Sequence, residues 1–349
     1  MKRQVISLLL VLAAISALGQ NVSVGNPGWL WTINGSGLPG RSFLFGTCHG
    51  DGISFTDEEI YGNIPGLAEA LDEAKAVFFE TVMESKEVND DKKEISDDKK
   101  VIKQLVEKVF NPGPKYMMPK GVFYKPLFDS VAYFNEVNKF MIHKMKDVEY
   151  WKKTPGYWCI RLSMYAFTKA RMCRSVDSAL CEEATKRGKE TGGLEESSFG
   201  IGKLMPMYSD TESIDTLSMK EQVKILYAYV HAFDNDSVFQ IPKLHAAYLE
   251  NDTSKLQRYF EERSQKMNIR LEAMGSKGDD AKKGMEEMMD YQNEHLLRER
   301  NEAWIPVIKE NIAKRPCLIA VGCRHLLSGD GLIAMLRREG YTVEPVVKK

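Results

Sequence analysis

Long apolar runs are rare in this sequence. Beyond the first fifteen residues, no segment approaches the length of a membrane-spanning helix, which needs about 20 consecutive apolar residues. A basic excess is also missing, because 48 lysines and arginines face 49 acidic residues and give a formal net charge of -1. Proteins that hold nucleic acid neutralise its phosphates with a basic surface, so we expect no nucleic-acid partner. The 43% hydrophobic and 28% charged fractions are those of an ordinary folded chain.

Cysteine is scarce as well. The 349 residues contain six cysteines, at positions 48, 159, 173, 181, 317 and 323. A chain of this size does not need disulfides as staples, although export would permit them. Their pairing does not follow from the sequence.

The segment 1–19 has the features of a secretory signal. Lys2 and Arg3 precede an apolar run that ends at Ile15, and small residues suitable for cleavage stand just before Gln20. Removal of Lys2 and Arg3 with this segment would change the formal net charge from -1 to -3. We expect an exported protein, periplasmic or secreted. No cysteine lies near Gln20 to carry a lipid, so no membrane anchor is expected after cleavage.

The motif G-x-x-H occurs twice, each time directly after a short apolar run. The first copy spans Gly46 to His49, and the second spans Gly322 to His325. An apolar run stopped by glycine is typical of a buried strand, and residues just beyond the carboxyl ends of strands often carry chemistry. Histidine is a common metal ligand and proton-transfer group. Two histidines in matching positions therefore indicate one shared site.

Two carboxylates are further candidates. Glu80 ends the apolar run 76–79, where a buried acid needs a cation, a hydrogen-bond donor or an opening to solvent. Alone, it is equally well a solvated residue at a strand end. A turn over 191–196 is expected to deliver Glu195.

The order of elements predicts an α/β fold. Strands are expected near both termini, and helical spacing dominates between them. The terminal strands must then meet in one split central sheet, which the large helical cap at about 101–315 covers. Residues 20–349 would form a single domain, with a cleft between cap and sheet.

In order and spacing, several short motifs together resemble the TraB/GumN family of exported bacterial proteins, which is related to TraB/PrgY proteins and to the Tiki metalloproteases of animals. The motifs are 45–49, Phe79-Glu80, Gly193-Leu194-Glu195, 299–304, 322–325 and Gly340-Tyr341. The resemblance covers nearly the whole chain after the signal and implies a hydrolase that depends on a divalent metal, either manganese, cobalt or zinc.

The resemblance also implies roles for individual residues. It makes His49 and His325 metal ligands and Glu80 a third ligand or the general base. Arg300 and Asn301 match the family's R-N pair. Arg300 would stabilise developing negative charge or tie the cap to the sheet by a salt bridge, and Asn301 would orient the substrate or its loop.

Three further positions belong to the same motifs. Glu195 matches the acid of the family's G-L-E segment, and we expect it, with Gly46 and Gly322, to contribute to binding. Cys48 and Cys323 depart from the family pattern, in which small or apolar residues are usual. If the two loops are adjacent, these thiols form a disulfide, pack together or add a soft ligand; packing or a disulfide is favoured over ligation.

Two functions remain open from the sequence. The first is a metal-dependent peptidase that acts on exported or extracellular peptides. The second is a non-catalytic protein that sequesters a peptide or a metal in the same cleft.

Overall fold

A computed structural model describes most of the chain after residue 27. The described residues are 28–48, 53–83, 113–162, 174–196, 217–234, 241–259, 262, 290, 292–327 and 329–347. The expected signal 1–19 and His49 lie outside these residues.

Six strands form one mixed sheet with the order β4-β3-β5-β2-β1-β6. The strands are β1 Leu30–Asn34, β2 Ser42–Thr47, β3 Ala76–Thr81, β4 Glu190–Glu195, β5 Cys317–Gly322 and β6 Thr342–Pro345. The pairs β2–β5, β3–β5 and β3–β4 are parallel, whereas β1 pairs antiparallel with β2 and β6. Because β5 lies between β2 and β3, the two ends of the chain share one sheet, and the α/β prediction is confirmed.

The middle of the chain also supplies a strand. The sequence predicts a turn over 191–196, but the structure has the edge strand β4 there, parallel to β3. Gly192 lies against the Phe78 ring, where an added Cβ would come within 2.7 Å of a ring carbon. Glycine therefore allows β4 to pack closely on its neighbour, although its low strand propensity hid the strand.

Eight helices with defined bounds lie between these strands along the described part of the chain. They are α1 Asp57–Asn63, α2 Leu67–Glu73, α3 Val131–His143, α4 Val176–Lys186, α5 Met219–Asp234, α6 Ile241–Leu249, α7 Glu299–Lys314 and α8 Leu332–Arg338. Thr56 and Glu59 form the capping box that starts α1. None of the described helices is both long and apolar enough to cross a membrane.

The sheet separates two hydrophobic cores. In β5, Leu318 and Ala320 point into one core, and Ile319 and Val321 point into the other. Both faces are covered, so β5 is apolar throughout rather than alternating. A third core lies within residues 124–162 and 225–230 and is centred on the fully buried Trp158.

Candidate functional site

The two G-x-x-H motifs meet at one edge of the sheet. Strands β2 and β5 run parallel, with Thr47 opposite Gly322 and Gly46 opposite Val321, so the motifs lie side by side with an offset of one residue. The last described residue of the first motif, Cys48, therefore follows β2 where Cys323 follows β5. His49 itself lies outside the described residues, so the shared site of the two histidines stays a prediction.

Glu80 joins the second motif directly. Its Oε1 accepts the backbone N–H of Gly322 at 2.8 Å, and its side chain is 16% exposed. The carboxylate therefore lies at the carboxyl end of β3 with its oxygens directed toward the neighbouring β5. Gly322 contributes its amide to this contact rather than a side chain.

Arg300 connects the two expected carboxylates. Its Nη2 donates to Glu80 Oε2 and to Glu195 Oε1, both at 2.7 Å, and its Nε lies 3.1 and 3.2 Å from the two Glu195 oxygens. Burial alone would lower the pKa of Arg300, but Glu80 and Glu195 outweigh that effect and raise it. The guanidinium is thus firmly charged, and each glutamate has a buried counter-ion.

His325 is held by Asn301 on the first turn of α7. The Asn301 amide donates to the carbonyl oxygens of His325 and Asp330 at 3.3 and 2.9 Å, so its Oδ1 faces His325 Nδ1 at 2.7 Å. Because Oδ1 can only accept, Nδ1 donates, and in a neutral ring the lone pair then lies on Nε2. This is the orientation in which proteins commonly present histidine to a metal or a proton donor.

Trp304 completes the cluster one helical turn after Arg300. Its indole N–H donates to Glu195 Oε2 at 2.9 Å, and its ring centroid is 4.5 Å from that of His325. The Arg300 guanidinium lies 4.6 Å from the centroid of the same ring. The spacing of four residues places Arg300 and Trp304 on one face of α7, toward Glu195.

The position of His325 Nε2 bears on metal binding. It lies 3.6 Å from Glu80 Oε1 and 3.4 Å from Arg300 Nη1. Two atoms bound to one tetrahedral zinc at about 2.0–2.1 Å stand about 3.4 Å apart, so the pair of His325 and Glu80 suits a shared ion. No set of three or more His, Cys, Asp or Glu side chains in the described part of the chain is arranged to hold a metal. The third ligand expected from the sequence is His49.

Gly46 has a steric reason for being glycine. A Cβ added there would come within 3.1 Å of the Cα and Cβ of Cys323. Its carbonyl accepts the buried Tyr248 hydroxyl at 2.8 Å. Gly46 thus allows the two motifs to approach each other closely.

Cys48 and Cys323 are buried and carry thiols in this structure. Both belong to the same hydrophobic core. The pKa of the nearby Tyr248 is raised mainly by burial, and both cysteines add to that rise. Burial likewise raises the pKa of the Cys323 thiol to about 12. The expectation that they lie close is consistent with these contacts, and packing describes them rather than a disulfide.

Sequence reasoning did not single out two polar residues beside the motifs, Asp177 and Tyr248. Thr47 donates its hydroxyl to Asp177 Oδ1 at 2.7 Å in a buried contact. Asp177 follows the Ser175 cap of α4 and resembles an ordinary acid at a helix start. Tyr248 lies in the helical middle of the chain, among many packing tyrosines. No local pattern distinguishes either residue.

Comparison with known families agrees with this arrangement. A family model described as TraB/PrgY/gumN matches residues 29–345. The chain belongs to the TraB/PrgY/gumN family. The match begins just before β1 and ends with β6, so the family domain contains the whole sheet and the cluster around Arg300. Comparison with curated proteins and with solved structures gave no match.

Proposed function

We propose that this TraB/PrgY/gumN protein is a divalent-metal-dependent hydrolase that cleaves exported or extracellular peptides. His325 Nε2 and Glu80 Oε1 would be two of the ligands, with His49 as the third. The observation that supports this proposal is their separation of 3.6 Å, together with the Asn301 contact that directs Nε2 toward Glu80. A bound divalent ion would activate a water molecule and polarise the peptide carbonyl.

The surrounding residues prepare this pair for binding. Asn301 fixes the orientation of the His325 ring, and Gly322 holds Glu80 Oε1 through its backbone N–H. Arg300 forms ion pairs with both Glu80 and Glu195 at 2.7 Å. Because two carboxylates already occupy Arg300, we assign it the positioning of Glu80 in preference to contact with the reacting carbonyl.

A second function has its own support. Both oxygens of Glu80 and both oxygens of Glu195 already accept hydrogen bonds from Arg300, Gly322 or Trp304. Arg300 Nη1 also lies 3.4 Å from His325 Nε2. Such a compensated cluster is stable without a metal. It would suit a protein that sequesters a peptide in the cleft and does not cleave it.

The experiment that separates these functions uses a peptide library with added Mn²⁺, Co²⁺ or Zn²⁺ and a chelated control. Metal bound per chain is measured in parallel by elemental analysis. The hydrolase requires cleavage products that depend on the metal and vanish in His325→Ala. Stoichiometric peptide binding without any product contradicts the hydrolase and supports sequestration.

A further inference from the structure

The third core carries an unusual surface on its outside. Eight large hydrophobic residues are strongly exposed in the described part of the chain, and six of them lie between positions 117 and 151. These six are Met117, Phe123, Val131, Tyr133, Val148 and Trp151. Single exposed hydrophobics are ordinary, whereas exposed hydrophobics that lie together on the surface indicate an interaction site.

The segments that carry three of these side chains come together in space. Met117 forms an isolated bridge with Lys153, and the next residue, Met118, donates its backbone N–H to the Lys152 carbonyl at 2.9 Å. The Tyr124 hydroxyl donates to the Lys153 carbonyl at 2.9 Å. The segments that carry Met117, Phe123 and Trp151 therefore converge on the backbone of residues 152–153.

The exposed rings of Phe123 and Trp151 are held by buried neighbours that pack against each other. Phe123 is 72% exposed and Trp151 is 51% exposed, yet their sequence neighbours Tyr124 and Tyr150 are buried. The rings of Tyr124 and Tyr150 pack edge to face with centroids 5.2 Å apart. Phe123 and Trp151 thus project from one packed base, and their exposure is a property of the fold.

The segment that carries the exposed rings is rich in lysine. Residues 113–153 contain eight lysines against four acids, a net charge of +4 in a chain whose formal net charge is -1. Lys120 lies in the turn before Phe123, Lys125 follows shortly after it, and Lys152 Nζ is 5.6 Å from the centroid of the Trp151 ring. Lys152 also pairs with Glu149, but this pair is exposed and worth little.

We infer that this surface binds the headgroup region of an anionic lipid bilayer. The basic apolar patch consists of Met117, Phe123 and Trp151 with Lys120, Lys125 and Lys152. Tryptophan and phenylalanine settle at the boundary between headgroups and acyl chains, and lysine attracts anionic lipids from the same level. Rings that stand out from turns suit insertion among headgroups better than a flat contact with an acidic protein. This inference does not depend on the proposed hydrolase.

Intrinsic fluorescence offers a direct test. All five tryptophans lie in the described residues, and Trp29, Trp31, Trp158 and Trp304 are at most 1% exposed. A blue shift of the emission on adding vesicles would therefore come from Trp151. The protein should begin at Gln20, because the apolar segment 1–19 would itself bind lipid. Vesicles of phosphatidylcholine are compared with equal mixtures of phosphatidylcholine and phosphatidylglycerol.

We expect co-sedimentation and a blue shift with the anionic vesicles only, weakened by added salt. Phe123→Ser and Trp151→Ser should each lower the partition coefficient by at least about 10-fold. Lys120→Glu and Lys125→Glu should each lower it by about 5-fold or more. The matched control Val347→Ser removes a side chain that is also 72% exposed, outside the patch, and should leave binding unchanged.

Three results would overturn the inference. The first is wild-type protein that stays in solution when anionic vesicles are sedimented. This result counts against lipid binding even if the patch binds an acidic protein. The second is equal binding to neutral and anionic vesicles. The third is a loss in Val347→Ser as large as that in Trp151→Ser. Circular dichroism of each variant separates lost binding from lost folding.

Discussion

Gly322 donates its backbone N–H to Glu80 Oε1 at 2.8 Å. This bond joins the second glycine-histidine motif to an acid that lies 242 positions earlier in the chain. It also explains how Glu80 can lie within a buried strand, since the carboxylate receives one backbone donor and one arginine. The chemistry proposed for this protein depends on that connection.

The two glutamates of the cluster are expected to differ in metal binding. Glu80→Gln removes the carboxylate that lies 3.6 Å from His325 Nε2, and metal affinity should fall at least about 10-fold. Glu195→Gln removes an acid held by Arg300 and Trp304, and should retain most of the affinity. Isothermal titration with Zn²⁺ or Mn²⁺ measures both. Equal affinities in Glu80→Gln and wild type would remove Glu80 from the site and direct attention to Glu195.

Arg300 should be critical for stability. Arg300→Met leaves Glu80 and Glu195 as two like charges in a mostly buried setting, which we expect to cost about 3–5 kcal/mol in free energy of unfolding. Arg315→Met breaks a more exposed pair with Glu190 and should cost less than about 1 kcal/mol. Urea denaturation compares the two variants, and similar losses would contradict the role given to Arg300.

The pH dependence of that loss follows from the sign of the pKa shift. The pKa of Arg300 is raised in the folded protein. Its contribution to the free energy of unfolding is therefore fully present below the pKa of the unfolded chain, and it is lost only when pH rises through the pKa of the folded protein. Across the neutral and mildly alkaline range, the difference between wild type and Arg300→Met should stay constant. A difference that vanishes within this range would contradict the assignment.

Asn301 is expected to act through His325. In Asn301→Ala the ring loses the acceptor of its Nδ1–H, and metal affinity should fall about 10- to 100-fold. Asn301→Asp restores that acceptor and should recover most of the affinity, although it lacks the amide that caps two carbonyls. If Asn301→Asp binds metal as weakly as Asn301→Ala, the amide serves the loop and does not orient the ring.

Gly46 is expected to tolerate no side chain. A methyl group there would press on the backbone of Cys323, and Gly46→Ala should cost about 1–3 kcal/mol in free energy of unfolding. Gly62→Ala is the matched control, because it lies in α1 with nothing within 4 Å of the added carbon. Helix propensity predicts a gain of about 0.5–1 kcal/mol for this control. Thermal unfolding that shows no loss for Gly46→Ala would refute the close approach.

The Cys323 thiol should resist alkylation while the protein is folded. Burial raises its pKa to about 12, so almost no thiolate exists at mildly alkaline pH. This shift stabilises the fold below the unfolded pKa, and the contribution is lost as pH rises toward 12. Mass spectrometry after iodoacetamide treatment should show modification of Cys323 only in urea. Rapid labelling of the native protein would show that the thiol is accessible.

Local chemistry made part of the fold predictable. The apolar runs before Gly46, Glu80 and Gly322 predict buried strands. Strand β4 was expected as a turn because its glycines carry no strand signal. Their role depends on the Phe78 ring, which belongs to another strand.

The sequence by itself determined the α/β class and the two glycine-histidine motifs, because these follow from local patterning, and its resemblance to a known family pointed to Glu195, Arg300 and Asn301. Tertiary structure decided how those residues are used. The order β3-β5-β2 places Glu80 beside Gly322, and the packing of α7 places Arg300 between Glu80 and Glu195. Hydrogen bonds and ion pairs between residues more than a hundred positions apart depend on how elements pack, and no local pattern encodes that packing.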